Sequence, residues 1–580
     1  MELMELDPTI AAALYKPLRE AEIRLAKLEP GEGQTPITVS LVTVGINQHP
    51  TYDAISYVWG NARNALPICC DGISTNITFS LHWALARVRL PDSPRLVWAD
   101  ALCINQNDAQ ERSRQVALMG QIYSSARLVL ACMGNAMDGR ARDVASLLAD
   151  YGPILARPRG TTDLLQLWRM GATPDKDSRW SAIRAVMAAP WFERAWVLQE
   201  VGLANNPRVL YGPVEFGYRD LMATVRCIRI FAGDFALKAG IGAFLIHTNW
   251  VDWSDEWAET PAYRPYKSVD LLDHGALLNC QDPRDRVFAF LSHPLARRIS
   301  TIVPDYTKTK PQVFQEATVA LLQDAGIRAL SSVEHDSSTL YEDFPTWVIR
   351  WDIGFTLNNI AVYPSSQFRA DMGLLNPFQI DGNVLRLKGI AVDIVEAAFE
   401  VGLLAESMKI VFRRTHIGSH HTILDVLRFL ENPEMPSGYA SSRSESFAHT
   451  LCCESNSTET ASLRGIWAEY FNSQKSPPQQ CNRGKAHSFW TKIAGGCRGR
   501  AFVVTKGGLY GLAPRIVAQG DLCCVIYGSA VPFMIRPVLS TAGVEHVRLI
   551  GETYLQGMMQ GEAAKLASED KMRECVFAVV

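Results

Sequence analysis

Several things are missing from this 580-residue chain, and each absence removes a class of function. Its most apolar runs, such as RLVLACMG at 127–134, fall far short of the roughly 20 residues a membrane-spanning helix needs. No membrane span is expected. Fifty-seven Lys and Arg against sixty Asp and Glu give a net charge of -3 without a dense basic block, which argues against nucleic acid as a principal partner. The opening MELMELDPTIAAALYKPLREAEIRL is acidic and breaks its apolar run at Asp7 and Pro8, so it lacks the pattern of a secretory signal. The reading is a soluble, intracellular, cytoplasmic protein. Thirteen cysteines include the adjacent pairs Cys69-Cys70, Cys452-Cys453 and Cys523-Cys524, but no two CxxC pairs stand at zinc-ribbon spacing, so reduced and mostly buried thiols are expected. There is no fixed-period repeat and no long compositionally biased stretch.

What is present is an ordinary globular composition, 48% hydrophobic and 20% charged, in a chain long enough for two to four domains. Between residues 20 and 215, short Val/Ile/Leu-rich runs alternate with segments of helical period, the mark of an α/β domain built on a largely parallel sheet. Strands are predicted at 22–28, 52–59, 95–100, 127–133 and 208–212. Between the third and fourth, Asp108 can cap a helix and Glu111 can return the bond as a capping box, with Val116, Met119, Tyr123 and Ala126 as the buried stripe. A second helix is predicted from Pro190 through FERAWVLQEVGLA to the stop at Asn205-Asn206-Pro207, and a third from Pro311 to Gly326. The predicted layout is a domain over 1–215 (motif core 52–204), a mixed, partly helical region over 216–400, helical segments with loops over 401–498, and a small β unit, barrel or sandwich, over 499–580. In that last unit Gly507, Gly508, Gly511 and Gly528 are expected at turns or bends.

Ligand sites on parallel sheets lie beyond the carboxyl ends of the strands. That explains the polar stretch VWADALCINQNDAQER at 97–112. Asp100 ends one predicted strand, and Ser56, Tyr57, Trp59, Gly60 and Asn61 lie near the end of another. Trp196 and Glu200 are four apart on a predicted helix, sharing a face that could set an aromatic surface beside a carboxylate. Such a pocket suits a planar, sugar-bearing ligand. Each residue also has a structural reading: Asp100 as a turn cap, Trp59 and Trp196 as packing groups, Glu200 as the ion-pair partner of Arg194 or Arg112.

The blocks YDAISYVWGN (52–61), VWADALCINQNDAQERSRQVALMGQIYSSARLVLACMG (97–134) and PWFERAWVLQEVGLA (190–204) resemble the fungal heterokaryon-incompatibility (HET) domain. Weaker likeness continues in DPRDRVFAFL (282–291), PDY (304–306), PTWVIRW (345–351) and LIGETYLQGMMQGEA. Where the family usually has Trp-Leu-Gly this chain has Cys132-Met133-Gly134, and where it has Leu-Gly this chain has Leu291-Ser292. The resemblance implies self/non-self recognition that ends in programmed cell death, and a distant relation to TIR domains with their flavodoxin-like sheet flanked by helices. In enzymatic TIR domains a helical glutamate cleaves nicotinamide from NAD, and the position similar to it here is Glu200. On that implication Ser56, Tyr57, Trp59, Gly60, Asp100, Arg194 and Trp196 would contact an NAD-type nucleotide. NAD would be a substrate, no resident cofactor is expected, and a protein partner or self-association is. The alternative is a non-catalytic signalling module acting through homotypic or partner contacts. A metal hydrolase using His416, His420 and His421 is a third, weak reading, because Gly418 and Ser419 favour a loop and no acid completes a ligand shell; no metal is expected.

Overall fold

The computed structural model describes residues 6–61, 63–134, 139–155, 176–231, 268–299, 301–353, 360, 368–374, 377–404, 409–414, 420–439, 442–453, 465, 467–470, 490, 493, 495–538 and 546–580. Two compact units divide the chain, Met1–Val313 and Phe314–Val580.

The first unit is built on a nine-stranded sheet: β1 (Glu22–Leu28), β2 (Thr38–Gly45), β3 (Asp53–Tyr57), β4 (Ala65–Cys70), β5 (Ile73–Thr78), β6 (Arg95–Trp98), β7 (Leu128–Cys132), β8 (Pro207–Tyr211) and β9 (Val214–Gly217), in the order β5-β4-β2-β1-β6-β3-β7-β8-β9. The five expected strands are all there. The sheet is mixed rather than largely parallel. β6, β3, β7 and β8 run parallel in the middle, while β1 pairs antiparallel with β6 and β9 antiparallel with β8. Every residue of β3 is buried, as a central strand covered on both faces requires. β2, β4, β5 and β9 escape the sequence reading because short, half-exposed strands carry little apolar periodicity.

At the amino end of β3 the buried Asp53 accepts from Arg95 (Nε, 2.7 Å) and from Arg127 (Nε, 2.9 Å; Nη2, 2.7 Å), tying β3 to the starts of β6 and β7. Burial would raise the Asp53 carboxyl, but the two guanidiniums outweigh it and hold it below the ordinary range. Polar groups at this end of the sheet are thus consumed by structure. The carboxyl end differs.

Helix Ala109–Ser125 starts as expected on Asp108, whose carboxylate accepts from the Gln110 and Glu111 amides at 2.9 and 3.1 Å, and Val116, Met119, Tyr123 and Ala126 are buried. The second half of the capping box is not made. Glu111 instead forks the buried Arg24 of β1 (2.6 and 2.9 Å) and accepts from the Asn105 amide, since a buried guanidinium outcompetes a cap amide for a carboxylate. The helix expected from Pro190 to Ala204 is also broken. A 3₁₀ turn covers Pro190–Glu193, Ala195 donates its amide to the Asn279 carbonyl at 2.9 Å, and an α-helix resumes only over Val197–Gly202.

The second unit holds an eleven-stranded sheet organised around one 21-residue strand, Val384–Leu404. Leu522–Ile526, Phe533–Val538, His546–Glu552 and Glu574–Val579 follow one another and return to that long strand on both sides, closing a barrel. Ile390, Val503, Val525, Met534 and Ile550 belong to its core. The long strand reads poorly in sequence because its alternation, inward at Leu385 and Leu387, is reset by register shifts at Ala391/Asp393 and Val395/Ala397. Gly508 and Gly528 take φ of +82° and +86°, as expected of turn glycines. His420 and His421 lie in the strand His420–Thr422, where neighbouring side chains point to opposite faces, so the helical-face spacing proposed for a metal does not arise. His416 lies outside the described residues. Among the described residues no three His, Cys, Asp or Glu side chains group to hold a metal, no helix is long and apolar enough to cross a membrane, and the cysteines are free.

Candidate functional site

β3 and β6 are parallel neighbours, and β6 ends at Trp98 opposite Ala54, three residues before β3 ends at Tyr57. After Tyr57 come Val58 and Trp59. After Trp98 and Ala99, Asp100 opens the four-residue helix Asp100–Cys103. The Trp59 indole donates to Asp100 Oδ2 at 2.6 Å, and the Ala101 amide donates to Oδ1 at 2.8 Å. Asp100 is thus the first residue of that short helix, not its N-cap, which is Ala99 without a side-chain cap bond, and it lines a cleft. Burial pushes its carboxyl above the ordinary range, opposed by the charge of Arg194 and by the hydrogen bond from Trp59.

Behind this pair is a sealed polar cluster. Arg194 forks Glu200, Nη2 to Oε1 at 3.0 Å and Nη1 to Oε2 at 3.1 Å. Ser56 Oγ donates to Glu200 Oε2 and itself accepts from the Trp191 indole at 2.8 Å. The helix break at Arg194 makes the fork possible, because a continuous helix would turn a residue six positions earlier away from Glu200. Glu200 is 1% exposed, and burial raises its carboxyl above the ordinary range although Arg194 and Ser56 pull it down. The structural reading of Glu200 as a partner of Arg194 is thus satisfied.

Trp196 points elsewhere. Its indole donates to Asp285 Oδ2 at 3.2 Å, and Tyr306 donates its hydroxyl to Asp285 Oδ1 at 2.6 Å. Burial pushes the Asp285 carboxyl to about 7, with these two hydrogen bonds resisting. The Arg112 guanidinium lies 3.9 Å above the centre of the Tyr306 ring. Trp196 and Glu200, expected on one shared face, serve two different clusters.

Between the two clusters opens a cleft of about 1090 Å³, slightly larger than the usual small-molecule pocket. Trp59, Asp100, Arg194 and Trp196 line it. Tyr57 and Gly60 border a smaller neighbouring cavity together with Trp59, while Ser56 and Glu200 stand behind Arg194, outside the cleft wall. The opposite wall, from Asn279 to Asp285 and Tyr306 to Lys310, comes from segments to which the sequence reading assigned no role. The aspartates of DPRDR and the tyrosine of PDY were the only signal available for it.

Comparison with known proteins agrees with the sequence blocks. The family model described as Heterokaryon incompatibility protein (HET) matches residues 52–200, and that of the Het-6 beta-barrel domain matches 479–575. The chain is 23% identical over 669 residues to Heterokaryon incompatibility protein 6, OR allele, of Neurospora crassa, covering 94% of this chain and 95% of that protein. No solved structure matches. The strand ends that carry Trp59 and Asp100 and the helix that carries Glu200 therefore lie in a HET domain, the later barrel strands of the second unit lie in a Het-6 barrel domain, and the chain is similar over most of its length to a fungal heterokaryon-incompatibility protein.

Proposed function

We propose that this protein triggers incompatibility-type cell death by cleaving an NAD-type nucleotide in the cleft at the ends of β3 and β6, with a TIR-like division of labour. The observation that carries the reading is that two carboxylates, Asp100 facing the cleft and Glu200 behind Arg194, converge where two tryptophans line its walls. In that reaction the bond between ribose C1′ and nicotinamide breaks, its electron pair leaves with neutral nicotinamide, and a carboxylate stabilises the oxocarbenium-like ribose until water adds. Glu200 reaches a ligand only when Arg194 turns out of its fork. Ser56 positions Glu200, and Trp59 and Trp196 shape the pocket.

A second reading is favoured by one observation. Glu200 is 1% exposed with both oxygens engaged, as a structural ion pair would be in a non-catalytic module working through self-association or a protein partner. Free nicotinamide released from NAD by the purified full chain separates the two. The catalytic reading expects release, lowered about a hundredfold or more in Glu200→Gln and unchanged in Glu215→Gln, whose residue lies on β9 paired with Arg208 at 2.8 Å. No release from folded, self-associated protein supports the module.

A further inference from the structure

Two guanidiniums flank the Tyr306 ring, and they are differently employed. Arg284, 5.1 Å from the ring centre, uses four of its five donors: it forks Asp282 at 2.8 and 2.6 Å and donates to the carbonyls of Tyr306 and Lys308 at 2.8 and 2.7 Å. Arg112, at 3.9 Å, has no side-chain hydrogen bond or ion pair among the described residues, and its Nε is buried without a partner. The acids near it are already committed. Glu111 pairs with Arg24, Asp282 with Arg284, and Asp285 accepts from Tyr306 and Trp196. Arg112 lines the cleft, so the part of its guanidinium that faces the cleft is open to an acceptor from outside the chain.

The surroundings of Arg112 are those of a preorganised receptor. Stacking on Tyr306 fixes the plane of the guanidinium and leaves its edge to fork a tetrahedral anion. Tyr306 is itself held at both ends, by its hydroxyl on Asp285 and by its amide on Ser113 Oγ at 2.9 Å. Asp285 also accepts from the Trp196 indole, so one carboxyl sets both the ring beneath Arg112 and an aromatic surface in the same cleft.

We propose that Arg112, stacked on Tyr306, is the anion-binding residue of the cleft and takes the pyrophosphate of a small-molecule ligand whose aromatic part lies against Trp59 or Trp196. This rests on the nucleotide reading given above and adds the phosphate subsite that it lacks. Asp285 and Tyr306 are positioning residues.

The test uses the full chain and inorganic pyrophosphate, titrated calorimetrically at fixed ionic strength. The parent binds, Arg112→Met weakens binding about tenfold or more, and Arg112→Lys, which keeps the charge but not the fork, falls between. A second measurement needs no variant: pyrophosphate slows modification of Arg112 by phenylglyoxal, mapped by mass spectrometry, while sodium chloride of equal ionic strength does not. Equal binding by parent and Arg112→Met, no binding by the parent, or unprotected Arg112 each overturns the proposal. Its failure is distinguishable from that of the NAD reading. Pyrophosphate binding that depends on Arg112, with no nicotinamide released by the parent, upholds the anion subsite and ends NAD cleavage. Nicotinamide release with an unchanged KM in Arg112→Met does the reverse.

Discussion

Arg194 grips both oxygens of Glu200 from six residues away, with donor distances of 3.0 and 3.1 Å, across a break in what the sequence presents as one helix. The fork makes Glu200 a structural residue whatever its part in chemistry. It also changes what a substitution there does.

Glu200→Gln is nearly isosteric, yet it leaves the Arg194 guanidinium facing an amide. We expect a loss of about 2–4 kcal/mol, because removing one partner of a buried pair strands the other. A double-mutant cycle with Arg194→Met, read from urea midpoints, should return a coupling above about 1 kcal/mol. Additive effects would mean that the fork contributes nothing.

Asp53 supplies a pH test at the opposite end of β3. Its folded carboxyl lies below the ordinary value because Arg127 and Arg95 outweigh burial, so its contribution is present above about pH 4 and is lost as pH falls through the folded value. Asp53→Asn should therefore cost about 2–4 kcal/mol at pH 7, and the gap from the parent should narrow on acidification below about pH 4. A gap independent of pH down to 2.5 would refute the clamp.

Asp285 has the reverse sign. Its carboxyl rises from 3.8 to about 7, so stability is fully present below the lower value and is lost as pH climbs toward 7. The whole effect is up to about 4 kcal/mol. Between pH 4 and 7.5 the stability of the parent should fall relative to Asp285→Asn, followed by chemical denaturation at several pH values. A constant difference would show that Asp285 stays ionised throughout.

In the second unit, a Cβ on Gly508 would stand 2.5 Å from the Pro436 carbonyl oxygen, on a backbone already at φ +82°. Gly508→Val should lower stability by more than about 1 kcal/mol. Gly520, at φ +93° with nothing within 4 Å of its would-be Cβ, should tolerate alanine at the cost of backbone strain alone. Equal melting temperatures for Gly508→Val and the parent would count against the turn.

Local chemistry was legible in the sequence; long-range partnership was not. The ends of β3 and β6, the Asp108 cap and the Arg194–Glu200 pair could all be read because they involve strand ends, one turn or a separation of six residues. Asp285 could not, since it meets Trp196 from 89 positions away, and no periodicity announces that. The helix break at Arg194 was hidden for the same reason: the amide of Ala195 finds its acceptor on Asn279. Glu111 shows a local rule overridden by a tertiary one, a plausible capping box giving way to Arg24 of β1, 87 residues distant. Strand Val384–Leu404 was obscured by its own register shifts.

The most direct test of the account is release of free nicotinamide from NAD by the purified full chain, with parent, Glu200→Gln, Asp100→Asn and Glu215→Gln matched for folded protein by circular dichroism. The account expects turnover by the parent and by Glu215→Gln, and a loss of about a hundredfold or more in Glu200→Gln and Asp100→Asn. Parent protein that is folded and self-associated yet releases no nicotinamide, or a folded Glu200→Gln as active as the parent, would contradict it.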